Sequence, residues 1–281
     1  MIAGHDNLIK IFKRLAKNNE LSHSYIFFGE TKVGKYTFAK YLANFLEYGN
    51  FEEPASILTE TLFVTPKPLK SENSIGIDAV REIKRFLYSK PVVSLRRVVI
   101  IDNAHNLTSQ AQNAILKIAE EPPARGLLIL ILPNPEAVLG TLQSRFQKIY
   151  FPRASKQLVQ DFLIKEMKVE AKEASALANL SFGRIGRAKE MLLNDEWSRI
   201  FKEVTKFMKS ANGRGGALKK IVESENRDKL NLFAQELIAC LSEDAEKNYI
   251  TLGAILKRLT FMSQFNVNKR LQLEAGILWN I

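Results

Sequence analysis

The sequence has few of the residues that build covalent or metal-bound sites. Of its 281 residues only Cys240 is a cysteine, which excludes an internal disulfide and a zinc site made of several thiolates. The three histidines, His5, His23 and His105, show no ligand spacing, so no metal site is predicted. No apolar run approaches the roughly 20 residues of a membrane span, and the amino-terminal segment has no apolar core typical of a signal peptide. We therefore expect a cytoplasmic protein without a membrane partner.

The charge balance is basic but diffuse. Lys and Arg number 41 against 30 Asp and Glu, a formal net charge of +11, and no dense basic block stands out. Such a surplus fits a protein that works near nucleic acid, and it equally fits a solvated surface rich in lysine. Charge alone leaves both interpretations open.

Short apolar runs that alternate with helical segments predict an α/β domain up to Pro152. Apolar spacing predicts helices at 35–47, 77–88 and 109–121. The runs typical of buried strands are Tyr25–Phe28, Leu62–Val64, Val98–Ile101, Leu127–Leu132 and Ile149–Phe151. This alternation favours a parallel sheet covered on both faces. Only helical spacing follows Pro152, at 155–192, 196–210, 217–243 and 247–262.

A phosphate-binding loop is predicted between the first of these strands and the helix at 35–47. Gly29-Glu-Thr-Lys-Val-Gly34-Lys35 lets backbone N–H groups turn inward, and the lysine can reach the outer phosphates. The Ser or Thr that should follow to ligate Mg²⁺ is replaced by Tyr36, and Thr37 lies about 100° further round the helix. Two interpretations stay open: a loop that binds no nucleotide, and weak, metal-independent binding by Gly29, Gly34, Lys35 and Thr37.

Asp102 supplies the acidic residue expected at the end of a neighbouring strand, where it would hold a magnesium-bound water. In proteins of this type that hydrolyse ATP, a glutamate follows and activates the attacking water. Here Asn103 follows, and an amide cannot accept a proton at neutral pH. Asp102 is therefore predicted to belong to a weak or vestigial nucleotide site.

Four motifs after the phosphate loop point to a family. They are Asp102-Asn-Ala-His-Asn-Leu-Thr108, Ala111-Gln-Asn113-Ala114-Ile-Leu116-Lys117, Glu120-Glu121-Pro122-Pro123 and Gln143-Ser144-Arg145-Phe146. Together they resemble the clamp-loader branch of the AAA+ ATPases. The resemblance implies an AAA+ α/β domain over residues 1–152, a helical lid over 153–197 and a helical collar over 198–281 that assembles five subunits in a ring.

Ser144-Arg145 matches the first two positions of that family's Ser-Arg-Cys motif, with Phe146 in the third. By resemblance, Arg145 would act as an arginine finger on the ATP of a neighbouring subunit, where a guanidinium stabilises charge on the γ-phosphate. Residue type alone leaves a surface salt bridge as the alternative. In the lid, Gly186 stands roughly where ATP-binding relatives carry an arginine.

The resemblance thus implies a non-hydrolysing scaffold subunit that requires no cofactor and helps load a sliding clamp onto primed DNA during replication. Its implied partners are gamma/tau-type and delta-type subunits, the sliding clamp, and DNA contacted indirectly or weakly. The alternative is an ATP-hydrolysing motor subunit like gamma/tau. A third interpretation is a free-standing DNA-binding protein, for which we identify no basic groove or reading helix.

Overall fold

The computed structural model describes residues 2–69, 72–193 and 246–264, with the short stretches 199–200, 203–204, 233–234, 237–238, 241–242 and residue 272. The chain divides into two compact units, Met1–Ala171 with Phe182–Arg187 and Lys172–Ser181 with Ala188–Ile281. The boundaries 1–152, 153–197 and 198–281 stay predictions. Cys240 and most of the predicted helices 196–210 and 217–243 lie outside the described residues.

Every strand among the described residues belongs to the first unit. The strands are β1 (Ser24–Phe28), β2 (Thr61–Val64), β3 (Lys67–Leu69), β4 (Glu72–Ser74), β5 (Arg97–Ile101), β6 (Gly126–Leu132) and β7 (Gln147–Tyr150). The described part of the chain has the helices α1 (Asp6–Lys17), α2 (Lys35–Tyr48), α3 (Ile77–Tyr88), α4 (Ser109–Glu120), α5 (Gly140–Arg145), α6 (Lys156–Met167), α7 (Ala171–Ser181), α8 (Ile185–Leu193) and α9 (Tyr249–Gln264).

Five parallel strands form the main sheet, in the spatial order β2-β5-β6-β1-β7. The central strand β6 is buried along its whole length, because its successive side chains enter two different cores. Leu128, Leu130 and Leu132 pack with residues of α3 and α4. The alternate side chains pack on the other face with residues of α1 and α2. This arrangement confirms the predicted parallel α/β sheet.

Several details differ from the sequence-based expectation. The pattern did not predict α1, α5 or the short antiparallel pair β3–β4. The strand expected to be buried at 149–151 is an edge strand whose side chains are mostly exposed, and only Phe151, just beyond it, is fully buried. An edge strand has a neighbour on one side only, so its apolar residues indicate a strand without indicating burial.

The helical region predicted at 155–192 is divided into α6, α7 and α8. α6 ends where Lys168 takes a left-handed conformation, and Gly183 does the same between α7 and α8. Among the described residues, no helix is long and apolar enough to cross a membrane. In that same part of the chain, no group of three or more His, Cys, Asp or Glu side chains could hold a metal ion.

Candidate functional site

The phosphate loop lies between the carboxyl end of β1 and the start of α2, and two glycines give it its shape. Gly29 has φ 136° and Gly34, at the N-cap of α2, has φ 106°, a region that residues with a Cβ rarely adopt. A Cβ on Gly29 would also lie 2.4 Å from the carbonyl oxygen of Phe151. The backbone at Gly29 therefore packs closely against the backbone of Phe151, the residue that follows β7.

Lys35 is directed at the carbonyl groups of its own loop. Its Nζ donates to the carbonyl oxygens of Gly29 and Glu30, each at 2.5 Å, and the residue is 7% exposed. Burial lowers its pKa to about 8, opposed by the nearby negative charges of Asp102 and Glu30. The amine that would bind a phosphate is thus desolvated and already engaged by backbone acceptors.

Asp102 follows β5 at the carboxyl end of the parallel strands, the same end of the sheet as the phosphate loop. Burial raises its pKa, while the hydrogen bond from Asn103 and the charges of Lys35 and His105 act in the opposite direction. Asn103 binds both carboxylate oxygens: its backbone N–H lies 2.9 Å from Oδ1 and its Nδ2 lies 3.2 Å from Oδ2. The residue in the position of a catalytic glutamate therefore serves as a hydrogen-bond partner of Asp102.

Tyr36 occupies the position of the missing magnesium ligand. Its side chain leans against β2, with the ring centre 5.9 Å from that of Phe63, and 38% of the residue is exposed. Burial of part of the ring raises the pKa of its hydroxyl. Thr37, one residue further along α2, is partly buried. The hydroxyl of Tyr36 is thus attached to a ring that packs on β2, and the hydroxyl of Thr37 is displaced by one residue along the helix.

The start of α8 contacts the phosphate loop directly. The backbone N–H of Gly186 donates to the carbonyl oxygen of Lys32 at 2.9 Å, and a Cβ on Gly186 would lie 2.9 Å from that same oxygen. No side chain fits at this position without moving the loop. An arginine of the kind found in ATP-binding relatives is therefore incompatible with this contact.

His5 is a residue of this region that sequence reasoning missed. It is 4% exposed, and its ring lies edge-on to Phe151, with 4.9 Å between the ring centres. Its Nε2 is 2.8 Å from the carbonyl oxygen of Val33, which can only accept, so Nε2 carries the proton. Burial lowers the pKa of His5, which favours the neutral imidazole. No local signal could have linked His5 to a loop 28 residues away.

Arg145 lies at the amino-terminal end of the parallel strands, opposite to the end that carries the phosphate loop. It ends α5, and its backbone carbonyl accepts a hydrogen bond from Oγ of Ser24, the first residue of β1, at 3.2 Å. The phosphate loop begins at Gly29, just beyond the last residue of β1 and about 16 Å from Ser24 along the strand at about 3.3 Å per residue. Arg145 is therefore not positioned to contact a phosphate in its own chain's loop.

The side chain of Arg145 is 39% exposed and has three polar contacts. Nη2 lies 2.7 Å from Oε1 of Glu120, and Nη1 lies 3.1 Å from the carbonyl oxygen of Thr141 and 3.4 Å from Oγ of Ser144. The next residue, Phe146, is buried in the core between the sheet and α3 and α4. Phe146, the third residue of the motif, is thus anchored in the core, whereas the guanidinium of Arg145 stays at the surface.

Comparisons with known proteins give a consistent picture. A family model described as DNA polymerase III, delta subunit, matches residues 4–155. The delta' subunit of DNA polymerase III from Escherichia coli is 34% identical over 135 residues, which are 48% of this chain and 40% of that protein. The gamma/tau subunit from Mycoplasma pneumoniae is 26% identical over 214 residues, 74% of this chain and 31% of that protein. These two alignments thus span well under half the length of either relative.

A relative that is covered over more of its length and two solved structures extend the comparison. The delta' subunit of Bacillus subtilis is 27% identical over 222 residues, covering 74% of this chain and 65% of that protein. A gamma subunit-related protein from Thermotoga maritima has a TM-score of 0.57 at 20% identity, covering 96% of this chain and 98% of that one. A mutant of Thermotoga maritima RuvB has a TM-score of 0.53 at 15% identity, covering 92% and 83%. At these identities the two structures show a shared fold alone.

Proposed function

Because the chain belongs to the family described as DNA polymerase III, delta subunit, we propose that it is a clamp-loader subunit of the delta' type, with Arg145 acting on the ATP of a neighbouring subunit. The position of Arg145 carries the proposal. Its guanidinium is at the surface. The residue lies at the amino-terminal end of the strands, whereas the chain's own phosphate loop lies at their carboxyl end. An arginine placed there can reach a nucleotide only in another chain.

The state of the chain's own loop supports a subunit that does not hydrolyse ATP. Lys35 is bound by loop carbonyls, and Asn103 replaces the base that would activate water. Tyr36 packs on β2 where a magnesium ligand is needed, and Gly186 leaves no room for an arginine from the lid. Hydrolysis requires these groups together, so the replacement of the metal ligand, the general base and the lid arginine argues against turnover even though Lys35 is retained.

The partners follow from the same family. We infer that the chain assembles with gamma/tau-type and delta-type subunits in a five-subunit ring, acts on a sliding clamp and contacts primed DNA indirectly or weakly. The protein is cytoplasmic and requires no cofactor of its own. Any nucleotide in the loop would be held weakly and without metal, by the amides near Gly29 and Gly34.

A second candidate function is an ATP-hydrolysing motor. The observation that favours it is the retention of both Lys35 and Asp102, together with the similarity to gamma/tau subunits. Steady-state ATP turnover by the isolated chain separates the two candidates. Turnover that the substitution Lys35→Ala abolishes would establish the motor and overturn our assignment.

The decisive test of the proposed function is Arg145→Ala in a reconstituted loader with clamp and primed DNA. We expect the ring to assemble normally, and turnover at the neighbouring ATP site to fall by about 10³-fold or more, the usual range for arginine fingers. Arg125→Ala is the matched control, since Arg125 is an exposed arginine at the same end of the strands, where its carbonyl oxygen accepts from Arg97. Unchanged turnover in the Arg145 variant would refute the proposal.

A further inference from the structure

The C-terminal end of α4 meets the end of α5 in one polar cluster at the protein surface. Oε1 of Glu120 lies 2.7 Å from Nη2 of Arg145, and both side chains are partly exposed, at 47% and 39%. The two residues are far apart in sequence, and the packing of α4 on α5 brings them together. This ion pair links the proposed arginine finger to a different element of the fold.

Glu120 is held firmly although its side chain is at the surface. It is the last residue of α4, and Pro122 and Pro123 follow after the C-cap residue Glu121, which prevents the helix from continuing. The hydroxyl of Tyr88 donates to the carbonyl oxygen of Glu121 at 2.8 Å, which ties the end of α4 to the end of α3. The carboxylate thus projects from a backbone that is fixed on both sides.

A carboxylate at this position is unfavourable by itself. The C-terminal end of a helix carries the negative end of the helix dipole, where cations are stabilised and anions are not. Glu120 nevertheless occupies the final position, and Arg145 supplies the compensating positive charge. A neutral or basic residue would suit the end of the helix dipole better, so the pair calls for an explanation outside α4.

The contacts of Arg145 suggest that explanation. Thr141 and Ser144 bind Nη1 and Glu120 binds Nη2, so three of the five N–H donors of the guanidinium are engaged by described residues. A free arginine side chain samples many rotamers, and that freedom is lost when it binds a phosphate. These three contacts, on two helices, already restrict the rotamers of Arg145 before a partner binds, so little freedom is left to lose. Two N–H donors of the guanidinium remain for phosphate oxygens.

We propose that Glu120 is a positioning residue, which holds the guanidinium of Arg145 in the orientation that meets a neighbouring subunit's ATP. This inference rests on the function proposed for Arg145. Glu120 does not itself contact the nucleotide. It acts by preorganisation, because a charge fixed in place before the reaction needs no reorganisation in the transition state.

The size of the effect follows from the exposure of the pair. Ion pairs between partly exposed side chains are weak, so loss of Glu120 should reduce turnover by about two- to fivefold, far less than loss of Arg145. The reduction should appear in kcat at saturating ATP, since the finger acts on the transition state. The KM for ATP should stay close to that of the unchanged loader.

The experiment measures ATP turnover of the assembled loader containing Glu120→Ala, Glu120→Gln or Glu121→Ala, each with and without Arg145→Ala. Glutamine keeps the shape and an oxygen acceptor, so it should restore most of the activity that alanine loses. Glu121 is the matched control, because it neighbours Glu120 and the described residues include no ion pair between it and Arg145. In chains that carry Arg145→Ala, the change at Glu120 should have no further effect.

The outcomes separate the two proposals. If Arg145→Ala lowers turnover and Glu120→Ala does not, the arginine finger stands and the positioning role of Glu120 is refuted. A Glu120→Ala effect of equal size with and without Arg145 would also refute it, because Glu120 would then act by another route. If Arg145→Ala itself has no effect, the proposed function fails and this inference fails with it.

Discussion

Replacing Lys35 by methionine should stabilise the protein near neutral pH. The pKa of Lys35 falls from 10.5 to about 8 because burial disfavours the ammonium form. At 1.36 kcal/mol for each pKa unit, this corresponds to a penalty of at most about 3.4 kcal/mol for the charged form. Residual hydration of the amine and the loss of its two hydrogen bonds reduce the gain, so we expect Lys35→Met to add about 1–2 kcal/mol to the free energy of unfolding at pH 7.

The pH dependence identifies the origin of this gain. Between pH 8 and 10.5 the unfolded chain holds the lysine proton more tightly than the folded chain, so the stability of the unsubstituted protein rises with pH in that window. The penalty is complete below about pH 8 and disappears above about pH 10.5. The penalty at pH 9 is roughly 60% of that at pH 7, so the advantage of Lys35→Met should be smaller at pH 9 than at pH 7.

Urea denaturation followed by circular dichroism at pH 7 and pH 9 measures both quantities. Groups that titrate equally in the two proteins, including the tyrosines, cancel in the difference. Lys117→Met, at an exposed position on α4, is the control and should change stability by less than about 0.5 kcal/mol at both pH values. A destabilised Lys35→Met protein, or an advantage that is the same at both pH values, would refute the reasoning.

Two further substitutions test the geometry of the loop. Gly29→Ala should lower the free energy of unfolding by more than about 2 kcal/mol in urea denaturation, because its Cβ would lie 2.4 Å from the carbonyl oxygen of Phe151. The control Gly49→Ala has a positive φ but open space around the Cβ, so it should cost only about 1 kcal/mol. Equal losses in the two variants would contradict this reasoning. Gly186→Arg should not create tight ATP binding, because its Cβ would lie 2.9 Å from the carbonyl oxygen of Lys32. A tenfold gain in affinity for a labelled ATP analogue would show that the loop can move aside.

Much of the fold is encoded locally. The run 127–132 indicates a fully buried strand because every residue in it is apolar, and the order of strands and helices up to residue 152 then predicts a parallel sheet. The helix α1 was not expected, although its apolar residues Leu8, Ile9, Phe12 and Leu15 have helical spacing and pack in one core, so this element too is encoded locally. The apolar pattern does not reveal the exposure of β7, since whether a strand lies at an edge depends on its neighbours in the sheet.

The phosphate-loop spacing and the identities of Tyr36 and Asn103 can be read from the sequence without a structure, because loop chemistry depends on residues that are adjacent in the chain. Tertiary structure alone decided that Lys35 is bound by its own loop, since burial and the directions of nearby carbonyl groups arise only when the elements pack. It also decided that Arg145 lies across the sheet from that loop and meets Glu120. Distances between residues far apart in sequence follow from the packing of helices and strands, and no local pattern contains them.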